Sequence, residues 1–190
     1  MKSGTAHTIP DFSIKDMPGT SGRLDVICRC LISTFRKNKE MRNTEFYAAL
    51  EGGASAPRLI IVEGRRLKRL PGDEFEAASV IKQLLGKNLE NENVLDEWPG
   101  FSIYSKGFQE IVNELRVEGV LFYLHQNGYD IRGFNFPEGD DLVFILGDHM
   151  GLTKADEELL QDLGAVRISV GPLVYLSSQC ISLVKEELDS

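Results

Sequence analysis

The spacing of apolar residues along the chain predicts an alternation of helices and strands. Between Leu24 and Phe35 the apolar side chains recur every three or four residues, which gives a helix one apolar face. The same spacing predicts further helices over residues 74–86, 107–118, 154–164 and about 173–188. Short apolar runs predict strands at 45–50, 58–63, 101–105, 120–124, 142–146 and 166–170.

This order of elements predicts an α/β fold with a mostly parallel sheet. The later strands are continuously apolar, which is typical of strands buried between helices on both faces of a sheet. Ser21 is a candidate cap for the first helix, and Gly86 is a candidate terminus for the second. Thr153 and Asp156 form a capping box before the helix at 154–164. No repeat or linker divides the sequence, so we expect one domain over residues 1–190.

Composition places the chain among ordinary soluble globular proteins. It is 42% hydrophobic and 26% charged, and no apolar run approaches the roughly 20 residues of a membrane span. The amino-terminal segment lacks the apolar core of a secretion signal. Cys28, Cys30 and Cys180 are too few for a disulfide framework, which favours reduced thiols and a cytoplasmic protein.

Charge is distributed unevenly along the chain, although the net charge is -8. Residues 1–70 carry 13 Lys or Arg and 7 Asp or Glu, whereas residues 71–190 carry 8 and 22. Because a polyanion responds to local rather than total charge, the amino-terminal part is a candidate nucleic-acid surface. The candidate contacts are Arg29, Arg36, Lys37 and Arg42. The alternative is that the charges after the first helix only solvate its end.

Three predicted strands run directly into turns that contain glycine. Leu124 is followed by HQNG, Gly147 opens the turn GDHMG, and Gly171 opens the turn GPL. In open parallel sheets, ligands bind beyond the carboxyl ends of the strands, and glycine lets the backbone approach a flat heterocycle closely. We therefore expect the turn at Gly147 to form one wall of a small-molecule pocket, with open space beside the glycine. The alternative is that these glycines only make tight turns.

Other common chemistries lack their sequence motifs. Neither G-x-G-x-x-G nor G-x-x-x-x-G-K-[ST] occurs, and there is no G-x-S-x-G elbow. The three histidines (His7, His125 and His149) have no metal-ligand spacing, so no metal is expected. Cys180 lies on the apolar stripe of the last predicted helix and is predicted to be a core residue unless a cofactor contacts it.

The segment PGTSGRLDVICRC concentrates charged groups at the start of a helix. Arg23, Asp25 and Arg29 fall within two helical turns, where backbone N–H groups already favour anions. Either arginine can grip a phosphate, and Asp25 can accept a proton or orient a polar atom of a substrate. The same spacing also fits a local ion pair with no further function.

Four motifs in this order, DMPGTSGRLDVICRC, LGDHMG, ISVGPL and SQCISLVKEELD, resemble the archaeal tRNA pseudouridine N1-methyltransferases. These belong to the SPOUT superfamily of knotted RNA methyltransferases, and the resemblance extends over residues 12–189. It implies a deep C-terminal trefoil knot, a homodimer, S-adenosylmethionine as methyl donor, and tRNA as the substrate, methylated at N1 of pseudouridine 54. The implied cofactor site lies in residues 120–190. Its residues are Leu124, Gly147, Ile168, Ser169, Val170, Gly171, Pro172, Leu173 and Cys180.

The resemblance gives the charged turn a candidate role in the reaction. N1 of pseudouridine carries a hydrogen that must leave around methyl transfer, and alignment of the reactants supplies much of the rate in such a step. Asp25 is the candidate for removing this proton or orienting the base. Arg23 is the candidate for steadying a phosphate or the developing anion.

The chain departs from the family pattern at three places. Residues 1–9 are short and polar where the family has an apolar strand, which predicts either a truncated start or the loss of this edge strand. Met41 and Asn43 stand where the family has Arg and Asp, and Phe75 stands where it has the Arg of a Pro-Asp-Glu-Arg motif. These departures leave two alternatives open. One is a non-catalytic RNA-binding or ribosome-assembly module, and the other is N1-methylation of pseudouridine in ribosomal RNA.

Overall fold

The computed structural model describes residues 1–36, 43–53, 55–88 and 93–189. Contacts divide the chain into two compact units, Met1–Phe108 and Gln109–Ser190. The described strands form a four-stranded sheet in the first unit and a three-stranded sheet in the second. The α/β class predicted from the sequence is confirmed. None of the helices within the described ranges combines the length and apolar character of a membrane-crossing segment.

The sheet of the first unit is mixed rather than mostly parallel. Its strands, in the order β1-β2-β3-β4, are β1 (Lys2–His7), β2 (Glu45–Gly52), β3 (Arg58–Glu63) and β4 (Phe101–Tyr104). β1 pairs with β2 in parallel, whereas β2 with β3 and β3 with β4 are antiparallel. The prediction of a mostly parallel sheet is therefore wrong for this unit. The linker at 53–57 is far shorter than the dozen or so residues that a parallel crossover needs.

The two longer helices of the first unit follow the predicted apolar pattern, and they are preceded by a short helix that was not predicted. The helices are α1 (Met17–Thr20), α2 (Leu24–Phe35) and α3 (Glu74–Leu85), with short 3-10 turns at Ile14–Asp16 and Gly64–Arg66. The apolar face of α2 is buried, and α2 packs against α3 and against β1 and β2. Ser21 does serve the start of α2, because its hydroxyl accepts a hydrogen bond from the backbone N–H of Leu24 at 3.0 Å. Gly86 ends α3 as predicted.

The strand that we expected to be truncated or lost at the amino terminus is present as β1. Ser3, Ala6 and the following Thr8 are almost fully buried, and the Ser3 hydroxyl accepts a hydrogen bond from the Ala6 N–H at 3.0 Å. The prediction was wrong because this strand is held by its pairing with β2 and by small buried side chains. Neither of these features produces an apolar run in the sequence.

The sheet of the second unit is entirely parallel, as predicted. Its strands have the order β6-β5-β7, and the elements of the unit are α4 (Phe108–Glu118), β5 (Gly119–Asp130), β6 (Asp141–Ile145), α5 (Lys154–Asp162), β7 (Val166–Ser169) and α6 (Ser177–Leu188). A 3-10 turn follows β5 at Ile131–Gly133. Phe122, Ile131, Ile168 and Val184 form the buried core, and half-buried phenylalanine rings surround Phe122.

Two element boundaries in this unit differ from the prediction. β5 does not end at Leu124 but continues to Asp130, with an irregularity in which both Leu124 and Tyr129 pair with Ile168. α6 begins at Ser177 rather than near residue 173. Gly171 has φ +137° and precedes Pro172, which favours extended backbone before it, so the apolar segment after β7 is not helical.

Candidate functional site

The charged turn of the first unit is built on an unusual backbone conformation. Gly22 and Arg23 are both left-handed, with φ +63° and +70°, and a Cβ at Gly22 would lie 1.8 Å from the Thr5 carbonyl oxygen. A left-handed arginine costs about 1–2 kcal/mol, and such strain persists only where surrounding contacts impose it. The Thr5 hydroxyl donates to the Gly22 carbonyl at 2.8 Å and fixes the turn to β1. The conformation places Arg23 directly before the first turn of α2.

Asp25 joins the two arginines that the sequence places near it. Its side chain is 4% exposed and accepts hydrogen bonds from Arg23 Nε at 2.9 Å, Arg23 Nη2 at 3.1 Å and Arg29 Nη2 at 2.8 Å. Burial favours a higher pKa for Asp25, but the hydrogen bonds from Arg23 and Arg29 outweigh it and hold the pKa below its usual value. The local ion pair that the spacing allows is therefore present. Arg29 also reaches Glu74 at 3.3 Å.

This geometry favours one of the two chemical roles considered for Asp25. A carboxylate that accepts three charge-assisted hydrogen bonds has little affinity for another proton. The same bonds hold both guanidinium groups in place, and the side chains of Arg23 and Arg29 are 38% and 31% exposed. Asp25 is thus suited to orienting two cations toward an anion rather than to proton removal.

The candidate RNA contacts are only partly described. Arg36 follows α2 and is exposed, but Lys37 and Arg42 lie outside the described residues. A second group of cations, which the sequence reasoning did not single out, follows β3. Its members are Arg65, Arg66, Lys68 and Arg69, and all four are exposed. The run GRRLKR itself was the signal that could have identified them.

The three arginines of this group contact neighbouring side chains. Arg65 and Arg66 contact the Glu63 carboxylate at 2.8 and 2.9 Å. Burial would raise the pKa of Glu63, yet the hydrogen bonds from both arginines leave it below its usual value. The guanidinium carbon of Arg69 lies 3.8 Å from the ring centroid of the buried Trp98. The segment therefore presents ordered guanidinium groups at the surface of the first unit.

In the second unit, the predicted cofactor residues of the turns after β6 and β7 lie at or beyond the carboxyl ends of these strands, whereas Leu124 lies within the extended β5. Leu124 on β5 pairs with Ile168 on β7. The Ser177 hydroxyl at the start of α6 donates to the carbonyl oxygen of Gly147 at 3.0 Å, which ties α6 to the turn after β6. Cys180 lies one helical turn beyond Ser177. The structure therefore brings the turn after β6 together with the start of α6, and it pairs Leu124 with the carboxyl-terminal part of β7.

The space beside Gly147 is not open, contrary to expectation. A Cβ at Gly147 would lie 2.2 Å from the Gly151 carbonyl carbon and 2.4 Å from its oxygen. Asp148 and Gly151 also form a bridge between their backbones. The glycine is therefore required by contact with the protein's own backbone, because the turn folds back on itself.

The residues after β7 offer both peptide groups and exposed apolar side chains. Gly171 has φ +137°, and a Cβ there would meet only the Tyr175 side chain, at 3.3 Å or more. Ser169 and Gly171 exchange weak hydrogen bonds at 3.3 and 3.4 Å, while Leu173 is 69% exposed. Ile168 is buried, Ser169 and Val170 are half-buried, and Pro172 is exposed. This combination suits a ligand that is flat and apolar on its faces and polar at its edges.

Cys180 is a half-buried free thiol on α6. Burial raises its pKa above the usual value, so the group is a neutral thiol at neutral pH. A neutral thiol behaves as a small apolar side chain and is a suitable wall for a pocket. Among the residues that the structure describes, no cluster of three or more His, Cys, Asp or Glu side chains is arranged to hold a metal ion.

Comparison with known proteins gives consistent matches along the whole chain. Residues 1–190 match the model of a family described as "Putative SAM-dependent RNA methyltransferase". The chain is 40% identical over 191 residues to the tRNA (pseudouridine(54)-N(1))-methyltransferase of Methanococcus vannielii, and the match covers 100% of this chain and 96% of that protein. It is 37% identical over 195 residues to the protein of the same name from Thermococcus gammatolerans, covering 100% of this chain and 95% of that protein.

A solved structure has a similar fold. It is the crystal structure of Archaeoglobus fulgidus Nep1 bound to S-adenosylhomocysteine, with a TM-score of 0.61 and 21% sequence identity. The match covers 89% of this chain and 71% of that chain.

Proposed function

The chain belongs to the family of SAM-dependent RNA methyltransferases, and from that premise we propose that it methylates N1 of pseudouridine 54 in tRNA. The observation that carries the proposal is the extent of the similarity. Relatives named for this activity are about 40% identical to the chain across its whole length. Both the charged turn after β1 and the strand ends of the second unit lie within that match. S-adenosylmethionine is the methyl donor.

The turns after β6 and β7, together with Leu124 on β5, fit this donor. The apolar side chains of Leu124 and Leu173 can cover the faces of the adenine ring, and peptide groups around Gly147 and Gly171 can bond its edges. The side chain of Ile168 is buried in the core, so this residue would support the pocket from behind. Ser169, Val170 and Pro172 complete the segment, and the neutral thiol of Cys180 can lie against the ligand without repelling a positive sulfonium. When bound, the donor supplies an electrophilic methyl group.

The charged turn is suited to holding the substrate. Arg23 would grip a phosphate or stabilise the anion that develops on the base as its proton leaves, and Arg29 would share the phosphate contact. Asp25 keeps both guanidinium groups in position. Arg36, Lys37 and Arg42 would extend the contact along the RNA backbone, where each neutralised phosphate adds affinity that weakens with salt. In-line methyl transfer depends mainly on this positioning.

We also infer three finer properties of the protein. The resemblance to knotted SPOUT enzymes supports a trefoil knot in the carboxyl-terminal part of one methyltransferase domain over residues 1–190. A homodimer is supported by apolar side chains that are exposed in the second unit, among them Met150, Val174 and Leu176. A tRNA substrate supports a cytoplasmic location.

Analysis of modified nucleosides tests the proposed function in cells. The gene is deleted from its host, and nucleosides of purified tRNA and of ribosomal RNA are measured separately by mass spectrometry. We expect N1-methylpseudouridine to disappear from tRNA, unmodified pseudouridine to take its place, and a plasmid copy of the gene to restore the methyl group. Loss of the methyl group from ribosomal RNA alone would instead support the ribosomal substrate. No change in either RNA would support a non-catalytic module.

A further inference from the structure

A histidine and an aspartate form a pair beside the left-handed turn that holds Arg23. His7 is the last residue of β1, and its Nδ1 lies 3.3 Å from Asp11 Oδ1. The two side chains are 34% and 55% exposed, so both can be reached from solvent. Neither residue has a role in the site described above.

Contacts with the turn fix the position of His7. Its backbone N–H donates to the carbonyl oxygen of Ser21 at 3.0 Å. A Cβ at Gly22 would lie 3.0 Å from His7 Cδ2, so the imidazole ring packs directly against the turn. The next residue after Gly22 is Arg23, the proposed anion-gripping side chain. The His7 ring is therefore adjacent in space to the residues that would hold the RNA.

The proposed reaction needs a proton acceptor that the charged turn does not supply. N1 of pseudouridine carries a hydrogen, and this hydrogen must leave when N1 gains the methyl group. Both oxygens of the Asp25 carboxylate are engaged by arginine side chains. Imidazole is the side chain whose ordinary pKa lies nearest to neutral pH, which makes it an efficient proton acceptor under those conditions.

We propose that His7 takes the N1 proton of the target base and that Asp11 is its positioning residue. This inference rests on the proposed function. In the tautomer in which Nδ1–H donates to Asp11, the lone pair of the ring is on Nε2. The proton moves from N1 to Nε2 as the N1–carbon bond forms. The sulfur–carbon bond of the donor breaks, and its electron pair stays on sulfur, which leaves a neutral thioether and a protonated imidazole.

The charged surroundings of His7 are simple. Among the described residues, Asp11 is the one that forms an ion pair with His7, while the Arg23 guanidinium on the adjoining turn is bound to Asp25. The paired strand β2 places Gly52 opposite His7 and contributes no charge at that position. An exposed pair of this kind contributes little to stability, so a large effect of its removal on the reaction would reflect chemistry.

Single-turnover methylation separates a chemical role from a structural one. The full-length protein, saturated with S-adenosylmethionine, acts on tRNA that carries pseudouridine 54, across about pH 6 to 9. We expect His7→Gln to slow methyl transfer at least roughly a hundredfold, because general-base catalysis contributes on the order of 10²–10⁴. Its rate should rise about tenfold per pH unit as the base ionises in solution, whereas the wild-type rate should level off. Asp11→Asn should slow the reaction by about tenfold, and the exposed control Asp162→Asn should not change it.

Binding and rescue measurements complete the test. Affinities for S-adenosylhomocysteine and for the tRNA should be unchanged in His7→Gln, and added imidazole should restore part of the activity of His7→Ala. The proposal is overturned if His7→Gln methylates within about threefold of wild type with the same pH profile. It is also overturned if the His7 variants lose activity in parallel with a lower melting temperature and imidazole restores no activity to His7→Ala. In both cases an active wild-type enzyme leaves the proposed function standing, whereas an inactive wild-type enzyme contradicts both.

Discussion

A methyl group added at Gly147 would come within 2.2 Å of the Gly151 backbone. Neighbouring backbone cannot move aside cheaply, so Gly147→Ala should lower the free energy of unfolding of the ligand-free protein by about 1–3 kcal/mol. The matched control is Gly133→Ala, because a Cβ at Gly133 has nothing within 4 Å. That change should be neutral or stabilise by up to about 1 kcal/mol. Urea unfolding measures both variants, and equal stabilities would contradict the close contact.

The ion pairs of Asp25 should make the stability of the protein depend on pH. Because the arginines hold its pKa below the usual value, the charged carboxylate stabilises the folded state above about pH 4, the ordinary range for aspartate. That contribution is lost as the pH falls through the lower folded-state pKa. Asp25→Asn should therefore cost roughly 1–3 kcal/mol at pH 7, since the arginine partners are partly exposed and solvent screens them.

The pH dependence separates this account from a simple packing effect. The stability difference between wild type and Asp25→Asn should shrink when urea unfolding is repeated near pH 3. A difference that stays the same at both pH values would show that the charge of Asp25 is not what stabilises the turn.

The positions of most helices and strands could be predicted from the sequence. α2, α5 and the strands of the second unit occur where the apolar pattern placed them, and α2 buries a continuous apolar face. β1 escaped prediction because its buried residues are small or polar. The extension of β5 was equally hidden. Gly128 there lies so close to Ile168 that a Cβ would come within 2.5 Å of its backbone, which is a tertiary contact without a local signal.

The site was predictable in residue type but not in geometry. The charged residues Arg23, Asp25 and Arg29 were visible from their spacing, and the ion pair between them formed. The left-handed conformation of Arg23 was not visible, because arginine rarely adopts it and contacts with Thr5 impose it from elsewhere in the chain. The contact that makes Gly147 necessary likewise depends on how the turn folds back.

The capping box of α5 gives a prediction about an element. The Thr153 hydroxyl accepts from the Asp156 N–H at 3.2 Å and donates to the Asp156 carboxylate at 2.6 Å, and this carboxylate accepts from the Thr153 N–H at 2.8 Å. Thr153→Ala should destabilise the protein by about 1 kcal/mol, because an N–H at the helix start loses its partner. Thr153→Ser keeps the hydroxyl and should lower the free energy of unfolding by only roughly a few tenths of a kcal/mol. Thermal melting that ranks the serine variant with the alanine variant would contradict the role of the cap.

The distribution of charge along the whole chain is compatible with membership of an RNA methyltransferase family. Lys and Arg exceed Asp and Glu in residues 1–70. Residues 71–190 carry a net negative charge and include the turns that fit the methyl donor. The family model covers both compact units, so the activity is expected of the complete chain rather than of one unit. A net charge of -8 is therefore compatible with an RNA substrate, because the phosphate backbone meets local charge.

Reconstituted methyl transfer shows whether the protein methylates pseudouridine 54. Purified protein and S-adenosylmethionine are incubated with two synthetic tRNAs that differ only at nucleotide 54, one with pseudouridine and one with uridine, and the digested nucleosides are identified by mass spectrometry. N1 of uridine is bonded to the sugar and cannot accept a methyl group. We expect one methyl group on N1 of pseudouridine 54 in the first tRNA and none in the second. A methyl group at another nucleotide, equal methylation of both tRNAs, or no methylation of either would contradict this expectation.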